Sequence, residues 1–358
     1  MSSDVWKIRG RGVSSNPAGR FEQRQSVRQS DGWELKDPQP PLLRTTVTAE
    51  KSKSIITRNG SPDVPFEQSI NPYRGCEHGC VYCYARPAHA YMDLSPGLDF
   101  ETRLFYKPDA VRVLKQELSR RSYRCKPIAF GTNTDPYQPV EQRLRITRDL
   151  LETLIAHRHP FTIVTKSALI ERDLDLIAAA AAQRLAAVMI SVTTLDPALK
   201  RSLEPRAASP GARLNAISVL RGAGIPVGVL AAPMIPAVND AELEAILAAA
   251  AAAGASSAAY ILLRLPNEVR VLFEEWLETH MPQRASHVMS LVRQMRGGRD
   301  NDPRFRHRMR GGGAFADLLS RRFGLACRKH GLEQGERTAL DCSGFRKPGP
   351  NQAQRELF

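Results

Sequence analysis

The sequence predicts an α/β fold built from repeated strand and helix units. Six short apolar segments alternate along the chain with six amphipathic segments, and such alternation is typical of a parallel sheet with right-handed crossovers. The predicted strands cover residues 69–73, 127–131, 161–165, 187–193, 226–231 and 259–263, and the predicted helices cover residues 108–121, 141–157, 172–183, 210–223, 240–253 and 267–279. The pattern alone fits either an open barrel or a doubly wound sheet.

Length and composition favour one globular unit with extensions. The chain has 358 residues, of which 42% are hydrophobic, so a single α/β barrel with flanking segments would use all of it. No apolar run of about 20 residues occurs, so we expect no membrane span. The first residues lack the apolar segment of a signal peptide, and three of the six cysteines are clustered. We therefore expect a cytoplasmic protein without a disulfide framework.

The net charge of +14 is carried by the two flanks of the chain. Residues 1–60 hold 11 Lys and Arg against 6 Asp and Glu, residues 284–358 hold 16 against 7, and residues 61–283 hold 24 against 24. We divide the chain accordingly into a basic, partly disordered N-terminal extension, a barrel and a basic C-terminal extension. Basic flanks suit non-specific contacts with nucleic-acid phosphates; they equally suit solvated tails that keep a protein soluble.

A cluster of cysteines follows the first predicted strand. Cys76, Cys80 and Cys83 form a C-x3-C-x2-C array, which can wrap one face of a metal cluster, whereas tetrahedral zinc needs a fourth ligand. A [4Fe–4S] cluster held by three cysteines keeps one iron free for a small molecule, and Tyr82 is placed to line that ligand. The alternative is structural zinc, with His78 and a remote cysteine completing the site.

The array and several later phrases resemble one enzyme family. The cysteine loop resembles that of the radical S-adenosylmethionine (SAM) superfamily. Five phrases resemble its spore photoproduct lyase-like branch: Asn71-Pro-Tyr-Arg-Gly-Cys76, Gly131-Thr-Asn-Thr-Asp-Pro-Tyr-Gln-Pro139, Thr165-Lys-Ser167, Leu203-Glu-Pro-Arg206 and Ala232-Pro-Met-Ile-Pro236. The resemblance covers about residues 45–300. It implies a six-unit partial (β/α) barrel, a [4Fe–4S] cluster with SAM, an electron donor and a 5′-deoxyadenosyl radical that abstracts hydrogen.

The turn after the second predicted strand lies where this superfamily has a glycine-rich loop that contacts the SAM amino group. This chain has no paired glycines followed by Glu there, so Thr132, Asn133 and Asp135 are the expected substitutes. An Asx-type turn capped by prolines would explain Asn133 and Asp135 equally well.

Further candidates for binding SAM follow the later strands, because the chemistry of a parallel barrel lies at the carboxyl ends of its strands. Lys166 could neutralise the SAM carboxylate or a substrate phosphate. Ser191 and Thr193 share one strand face and could bind a ribose, although such side chains often bond only to the backbone. Arg206 is available as an anion clamp.

Two kinds of side chain, thiols and tyrosines, are candidates for hydrogen transfer. A lyase of the spore type would need a thiol near the substrate, but Cys125 precedes its strand and the other remote cysteines lie in the C-terminal extension. We expect these thiols to be inert. Tyr73, Tyr84 and Tyr137 are the alternative candidates for relaying a radical.

The C-terminal extension carries two possible contact segments. Arginines recur at every second position from Arg304 to Arg310 and could follow phosphates along an extended strand or belong to a loop. Gln354, Leu357 and Phe358 resemble a short sliding-clamp-binding peptide. We expect a radical SAM enzyme that acts on a DNA lesion or base; the alternatives are a nucleic-acid- or clamp-associated protein with a structural cluster, or modification of a protein or small molecule.

Overall fold

A computed structural model describes residues 10–21, 43–335 and 339–349. The strands are β1 (Thr46–Ala49), β2 (Ile56–Arg58), β3 (Gln68–Ile70), β4 (Tyr73–Arg74), β5 (Arg103–Tyr106), β6 (Ile128–Phe130), β7 (Phe161–Thr165), β8 (Ala186–Ser191), β9 (Val227–Met234), β10 (Ser257–Leu262) and β11 (Glu333–Gln334). Eight of them form one sheet in the order β11-β10-β9-β8-β7-β6-β3-β2, while β1, β5 and β4 form a small second sheet.

The large sheet is parallel except at one edge. Each neighbouring pair from β11 to β3 is parallel, and only β2 runs antiparallel to β3. The six strands predicted from sequence correspond to β3 and β6–β10, which confirms the prediction of six parallel units. No closed barrel forms within the described ranges, so the sheet is the open, partial form.

Helices connect the strands as the alternation predicts. They are α1 (Leu98–Thr102), α2 (Ala110–Ser119), α3 (Glu141–Leu144), α4 (Ile146–Ala156), α5 (Leu174–Ala181), α6 (Pro197–Leu203), α7 (Pro210–Gly222), α8 (Leu243–Ala252), α9 (Val269–His280), α10 (Ala285–Met295), α11 (His307–Arg310) and α12 (Ala314–His330). Short 3₁₀ helices cover Arg86–Met92, Ala168–Asp173 and Asp240–Glu242. No helix in the described part of the chain is long and apolar enough to cross a membrane.

Local signals explain both the agreements and the differences. Ser209 caps α7 by accepting from the Ala212 N–H at 3.2 Å, with Pro210 in the first turn, which is a common pattern at helix starts. The predicted helix over 141–157 is divided because Arg145 adopts φ +56° between α3 and α4. A left-handed residue cannot continue an α-helix.

Three strands near the site are buried on both faces or nearly so. β3 and β6 are buried at every residue, and β9 at all but two, as expected of parallel strands covered by helices. A second apolar cluster lies under the cysteine loop. Val81 and Tyr82 belong to it, together with Leu203 of α6 and Trp276 of α9.

Both ends of the described chain return to the body of the fold. The Gly12 N–H in the N-terminal segment 10–21 donates to Glu101 Oε2 at 2.9 Å. In the C-terminal segment 339–349, the Arg346 N–H donates to the His157 carbonyl at 2.8 Å. Both described terminal segments therefore contact the body of the fold, and the division of the chain at residues 60 and 284 stays a prediction.

Candidate active site

The cysteine loop, residues 75–84, begins directly after β4 and is held by main-chain hydrogen bonds. The Cys76 N–H donates to the Phe100 carbonyl at 2.9 Å, and the Val81 N–H donates to the Leu203 carbonyl at 3.0 Å. Gly79 has φ +65°, and a Cβ there would lie 2.7 Å from Glu101 Oε2. Glycine is therefore required at this turn by both conformation and space.

The three thiols lie together in a buried environment. Cys76, Cys80 and Cys83 are close enough for their charges to interact, and burial raises the pKa of all three. Thiolates in such a place need a cation to balance them. An iron–sulfur cluster would supply that positive charge, so the three thiols are a donor set that fits the cluster that the sequence predicts.

The zinc alternative gains no support from the geometry. No three His, Cys, Asp or Glu side chains of the described residues converge on a point that could hold a single metal ion. His78 Nδ1 instead faces Asp135 Oδ2 at 3.4 Å. The remote cysteines also lie elsewhere: Cys125 is at the amino end of β6 beside Cys342, and Cys327 is buried in α12.

A buried carboxylate, Glu204, organises the site behind the cysteine loop. Its oxygens accept hydrogen bonds from the Tyr82 hydroxyl, from Thr193 Oγ1 at 2.7 Å and from the Arg213 guanidinium, and Lys166 Nζ lies 3.9 Å away. Burial opposes ionisation, but Arg213 and Lys166 outweigh it and lower the pKa of Glu204 to about 2. Glu204 is therefore an anion that ties α6 and α7 to the strand ends.

The ends of β7, β8 and β9 meet at this carboxylate. Lys166 Nζ donates to Ser191 Oγ at 2.6 Å, while Ser191 and Thr193 both donate to the Ala232 carbonyl, at 3.3 and 2.8 Å. Four predicted SAM-binding residues, Tyr82, Lys166, Ser191 and Thr193, thus lie in one polar network.

Asp135 occupies the turn after β6 and faces this network. It accepts from Thr165 Oγ1 at 2.6 Å and from the Lys166 N–H at 2.8 Å. Burial by itself raises the pKa of Asp135, but the neighbouring His78 and the hydrogen-bond donors outweigh this and lower it to about 2. The carboxylate fixes the main chain that carries Lys166.

The other two predicted residues of this turn are held by Asn71. Its Oδ1 accepts from the Thr132 hydroxyl at 3.2 Å and from the Asn133 N–H at 2.9 Å. Gln138 completes the connection to the cysteine loop, accepting from the Glu77 N–H at 2.9 Å and donating to the Gly75 carbonyl at 3.1 Å. The turn is therefore a brace for the loop as well as a candidate binding surface.

The structure separates the remaining predicted residues. Arg206 Nη2 binds Glu77 Oε1 at 3.1 Å, on the outer side of the cysteine loop. Tyr73 and Tyr137 are fully buried in the core, and the Tyr73 hydroxyl donates to Glu141. Tyr84 is 45% exposed, and its hydroxyl donates to the Thr132 carbonyl. Of the three tyrosines, only Tyr84 opens to solvent beside the cysteine loop.

Sequence reasoning missed three residues that shape the site. Glu204 and Arg213 form a buried ion pair, and Asn239 accepts from the Ile235 N–H at 2.6 Å and donates to the Thr193 carbonyl at 2.7 Å. Glu204 and Asn239 do stand beside residues that the sequence picks out, within Leu203-Glu-Pro-Arg206 and after Pro236. Their position in or next to these phrases was the available signal.

Comparison with known proteins decides the family. The sequence model of the Radical SAM superfamily matches residues 70–250, which include the cysteine loop and strands β6–β9. The chain belongs to the radical SAM superfamily. As a member of that superfamily it is an enzyme that uses a [4Fe–4S] cluster and SAM and depends on an electron donor.

Curated relatives include proteins of a bacterium and of an archaeon. An uncharacterized protein of Mycobacterium tuberculosis (strain ATCC 25618 / H37Rv) is 39% identical over 232 residues, which cover 64% of this chain and 68% of the relative. An uncharacterized protein of Methanocaldococcus jannaschii is 28% identical over 194 residues, covering 54% and 69% of the two chains.

Solved structures show the same fold. Spore photoproduct lyase complexed with dinucleoside spore photoproduct superimposes with a TM-score of 0.54 at 14% identity, over 84% of this chain and 87% of that chain. The radical SAM chain described here therefore shares the architecture of that lyase, well beyond the cysteine loop.

Proposed function

We propose that this radical SAM enzyme acts on nucleic acid, at a DNA lesion or a base. The observation that carries the proposal is the position of its arginine-rich segment, residues 296–313, which holds six Arg against two Asp. Arg296 is 1% exposed and donates to the Leu263 carbonyl at 2.6 Å, directly after β10. This contact anchors the segment at the carboxyl ends of the strands, where β7–β9 present the polar network. Arginine side chains that could bind a polyanion therefore lie beside the site.

The residues of the site have separate roles in the proposal. Cys76, Cys80 and Cys83 would hold the cluster. The cluster together with SAM would supply the 5′-deoxyadenosyl radical that takes a hydrogen atom from the substrate. Tyr82 lines the SAM site through the face of its ring, since its hydroxyl is occupied by Glu204.

The polar network suits the charged and hydroxyl groups of SAM. Lys166 offers its ammonium to the carboxylate of the methionine part, while Ser191 and Thr193 offer hydroxyls to the ribose. Asp135 and the Thr132–Asn133 turn flank the amino group. Arg206 stays a candidate only for an anion outside this network, because it is bound to Glu77.

Tyr84 is the proposed hydrogen-transfer residue among the tyrosines. It follows Cys83 directly and is exposed, whereas Tyr73 and Tyr137 are enclosed in the core. Tyr73 and Tyr137 remain candidates only for radical transfer through the core. Likeness to spore photoproduct lyase supports a nucleic-acid substrate without fixing the reaction, and the sliding-clamp peptide at Gln354, Leu357 and Phe358 lies outside the described residues.

The test is anaerobic SAM cleavage by the reconstituted, reduced protein. We expect 5′-deoxyadenosine formation that is stimulated by one of three additions: ultraviolet-irradiated DNA, undamaged DNA or RNA. The triple variant Cys76→Ala, Cys80→Ala, Cys83→Ala should abolish cleavage while leaving nucleic-acid binding. Cleavage indifferent to all three nucleic acids would refute the substrate class and favour a protein or small molecule.

A further inference from the structure

A row of alternating aromatic rings and guanidinium groups lines the rim of the site. We call it the rim row; its members are Tyr84, Arg264, Arg308 and Phe305. The Arg264 guanidinium lies 5.0 Å from the centre of the Tyr84 ring, and that of Arg308 lies 4.8 Å from the centre of the Phe305 ring. Both rings are exposed, Tyr84 by 45% and Phe305 by 54%.

The row begins at the cysteine loop. Tyr84 follows Cys83, and its hydroxyl donates to the carbonyl of Thr132 in the turn after β6. Arg264 follows β10 and approaches the sulfur of Met309 at 3.8 Å. Arg308 lies near enough to Tyr84 and Arg264 for its charge to act on both. The rim row therefore extends outward from the place where the radical is generated.

The outer part of the row is fixed to the body of the protein. Arg308 Nε binds Asp63 Oδ2 at 2.5 Å, and the Arg306 N–H donates to Asp63 Oδ1 at 2.5 Å. Asp63 lies in the turn between β2 and β3, and its side chain is 2% exposed. Phe305 is thus presented by an anchored main chain, so its exposed ring is a feature of the fold.

One guanidinium of the rim row has a nitrogen without a hydrogen-bond partner among the described residues. The Nε of Arg264 is buried and has no hydrogen-bond partner among the described residues. The other guanidinium of the rim row is already neutralised, because Arg308 binds Asp63. Arg264 is therefore the member of the row best placed to take an anionic oxygen near Tyr84.

We propose that the rim row binds unpaired nucleotides, with bases stacked on Phe305 and Tyr84 and a phosphate at Arg264. The proposal rests on the proposed function and narrows its substrate to single-stranded nucleic acid or a locally opened strand. Stacking on an exposed ring contributes about 1–3 kcal/mol per base and tolerates any sequence. In an intact duplex each base already stacks on its neighbours, so its face is not available to Phe305.

The test compares strands by fluorescence anisotropy at one fixed salt concentration. The probes are a short labelled DNA strand, the same sequence as a duplex, and the corresponding RNA strand. We expect tighter binding of a single strand than of the duplex. Phe305→Ala should weaken single-strand binding about 5-fold or more and leave duplex binding unchanged. Phe305→Trp, which keeps an aromatic ring, should bind the single strand as the unmodified protein does.

Leu325→Ala is the matched control, because Leu325 is a comparably exposed apolar side chain, 59% accessible, on α12. It should bind every probe as the unmodified protein does. Comparing the DNA strand with the RNA strand shows which of the two nucleic acids supplies the unpaired bases. Single-strand binding insensitive to Phe305→Ala, or a preference for duplex, would overturn the proposal.

The results that would refute the proposed function differ from those that would refute the rim-row proposal alone. The proposed function fails if no nucleic acid binds or stimulates SAM cleavage, and that result removes the rim-row proposal with it. Stimulated cleavage together with unaltered binding by Phe305→Ala removes only the rim-row proposal. The visible absorbance of the cluster and the urea midpoint, each compared with those of the unmodified protein, check that Phe305→Ala is loaded and folded.

Discussion

Glu204 is the residue on which most of the site's charge depends. Its side chain is fully buried and paired with Arg213, which is 1% exposed and also donates to the Ser191 carbonyl at 3.0 Å. A buried ion pair of this kind has little net stabilising effect while intact, but removal of one partner leaves an uncompensated charge. The two residues therefore act as a unit.

We expect Glu204→Gln to lower the free energy of unfolding by about 3–5 kcal/mol, because the Arg213 guanidinium would stay buried without its carboxylate. Urea denaturation under anaerobic conditions measures the change. The double variant Glu204→Gln, Arg213→Met is the control and should recover much of the loss, since it removes the second charge as well. If the single variant is as stable as the unmodified protein, Glu204 is not the anion described here.

Two buried histidines should make stability depend on pH. Burial lowers the pKa of His89 and His159 to about 4, below the ordinary value of 6.5. Between pH 6.5 and 4 the unfolded chain takes up protons that the folded chain does not, so stability is present above pH 6.5 and falls as the pH decreases through this window. At pH 5 the expected loss is about 2 kcal/mol for each histidine.

Urea midpoints at pH 7.5 and pH 5 test this dependence. His159→Gln should reduce the difference between the two midpoints, whereas the same change at His287, an exposed residue of α10, should leave it intact. An equal pH dependence in both variants would mean that His159 does not stay neutral in the folded protein.

The site residues show which chemistry a sequence can reveal. The three cysteines are readable because their spacing is local, and Lys166 and Ser191 are readable because parallel strands end at one edge. Glu204 lies within the phrase Leu203-Glu-Pro-Arg206, yet its contacts with Tyr82 and Arg213 span 122 and 9 positions of the chain. Contacts of that kind depend on tertiary packing, which periodicity does not encode.

At the scale of elements, the N-terminal segment 10–21 helps to hold the cysteine loop in place. Glu101 joins the two: it accepts from the Gly12 N–H at 2.9 Å and binds the Arg86 guanidinium at 2.5 Å. Arg86 in turn donates to the Cys80 carbonyl at 2.9 Å. The Arg9–Gly12 repeat resembles an RNA-contacting motif in sequence, but Arg11 donates to the Leu43 and Glu101 carbonyls.

Gly12→Ala should separate this segment from the loop. A Cβ at Gly12 would lie 1.6 Å from the Gly79 carbonyl oxygen, so the main chain must move and the hydrogen bond to Glu101 breaks. A hydrogen bond to a charged group contributes about 1.5–3 kcal/mol. We expect faster loss of the cluster's visible absorbance in air.

Gly60→Ala provides the matched control for Gly12→Ala. An added Cβ at Gly60 meets nothing within 4 Å, so this variant should lose its cluster at the rate of the unmodified protein. Equal loss rates in the two variants would show that the N-terminal segment does not support the cysteine loop.

The regular elements were predictable to within a few residues, and the connections were not. Apolar runs with period-two or helical patterning identify β6–β10 and the helices between them. Helix α6 was missed because it is only seven residues long, although Asp196 caps it by accepting from the Ala198 N–H at 2.7 Å. Two of the alternating arginines, Arg308 and Arg310, lie in the short helix α11, and Arg304 and Arg306 precede it, so the series is not an extended strand.

For the whole molecule, charge counting alone overstates the free basic surface. The flanks carry most of the excess of +14, yet several of their arginines are committed inside the fold. Arg296 binds main-chain carbonyls, Arg308 binds Asp63, and Arg322 of α12 binds Glu244 at 2.7 Å. The sequence gives the number of basic side chains, and only the folded structure shows which of them are free to bind phosphate.

The C-terminal segment also stabilises the end of the sheet opposite the site. Phe345 is half-buried against Tyr123 and His159, with ring centres 5.6 and 5.2 Å apart, and the Tyr123 hydroxyl bonds to His159 Nε2 at 2.7 Å. Lys347 Nζ donates to the Arg120 carbonyl at 3.0 Å. An arm of a basic extension is thereby built into the core near β6.

Phe345→Ala should therefore destabilise the fold without altering the site. Truncating a fully buried Phe costs about 3–5 kcal/mol; because Phe345 is only partly enclosed, we expect about 1–2 kcal/mol, part of it from its aromatic neighbours. Urea denaturation gives the change, and Phe305→Ala, which removes an exposed ring at the opposite end, should leave stability unaltered. SAM cleavage per loaded cluster should be the same in both variants. A Phe345→Ala protein as stable as the unmodified chain would mean that the C-terminal segment does not pack on the sheet, and the basic extension would then be free to move as the sequence first suggested.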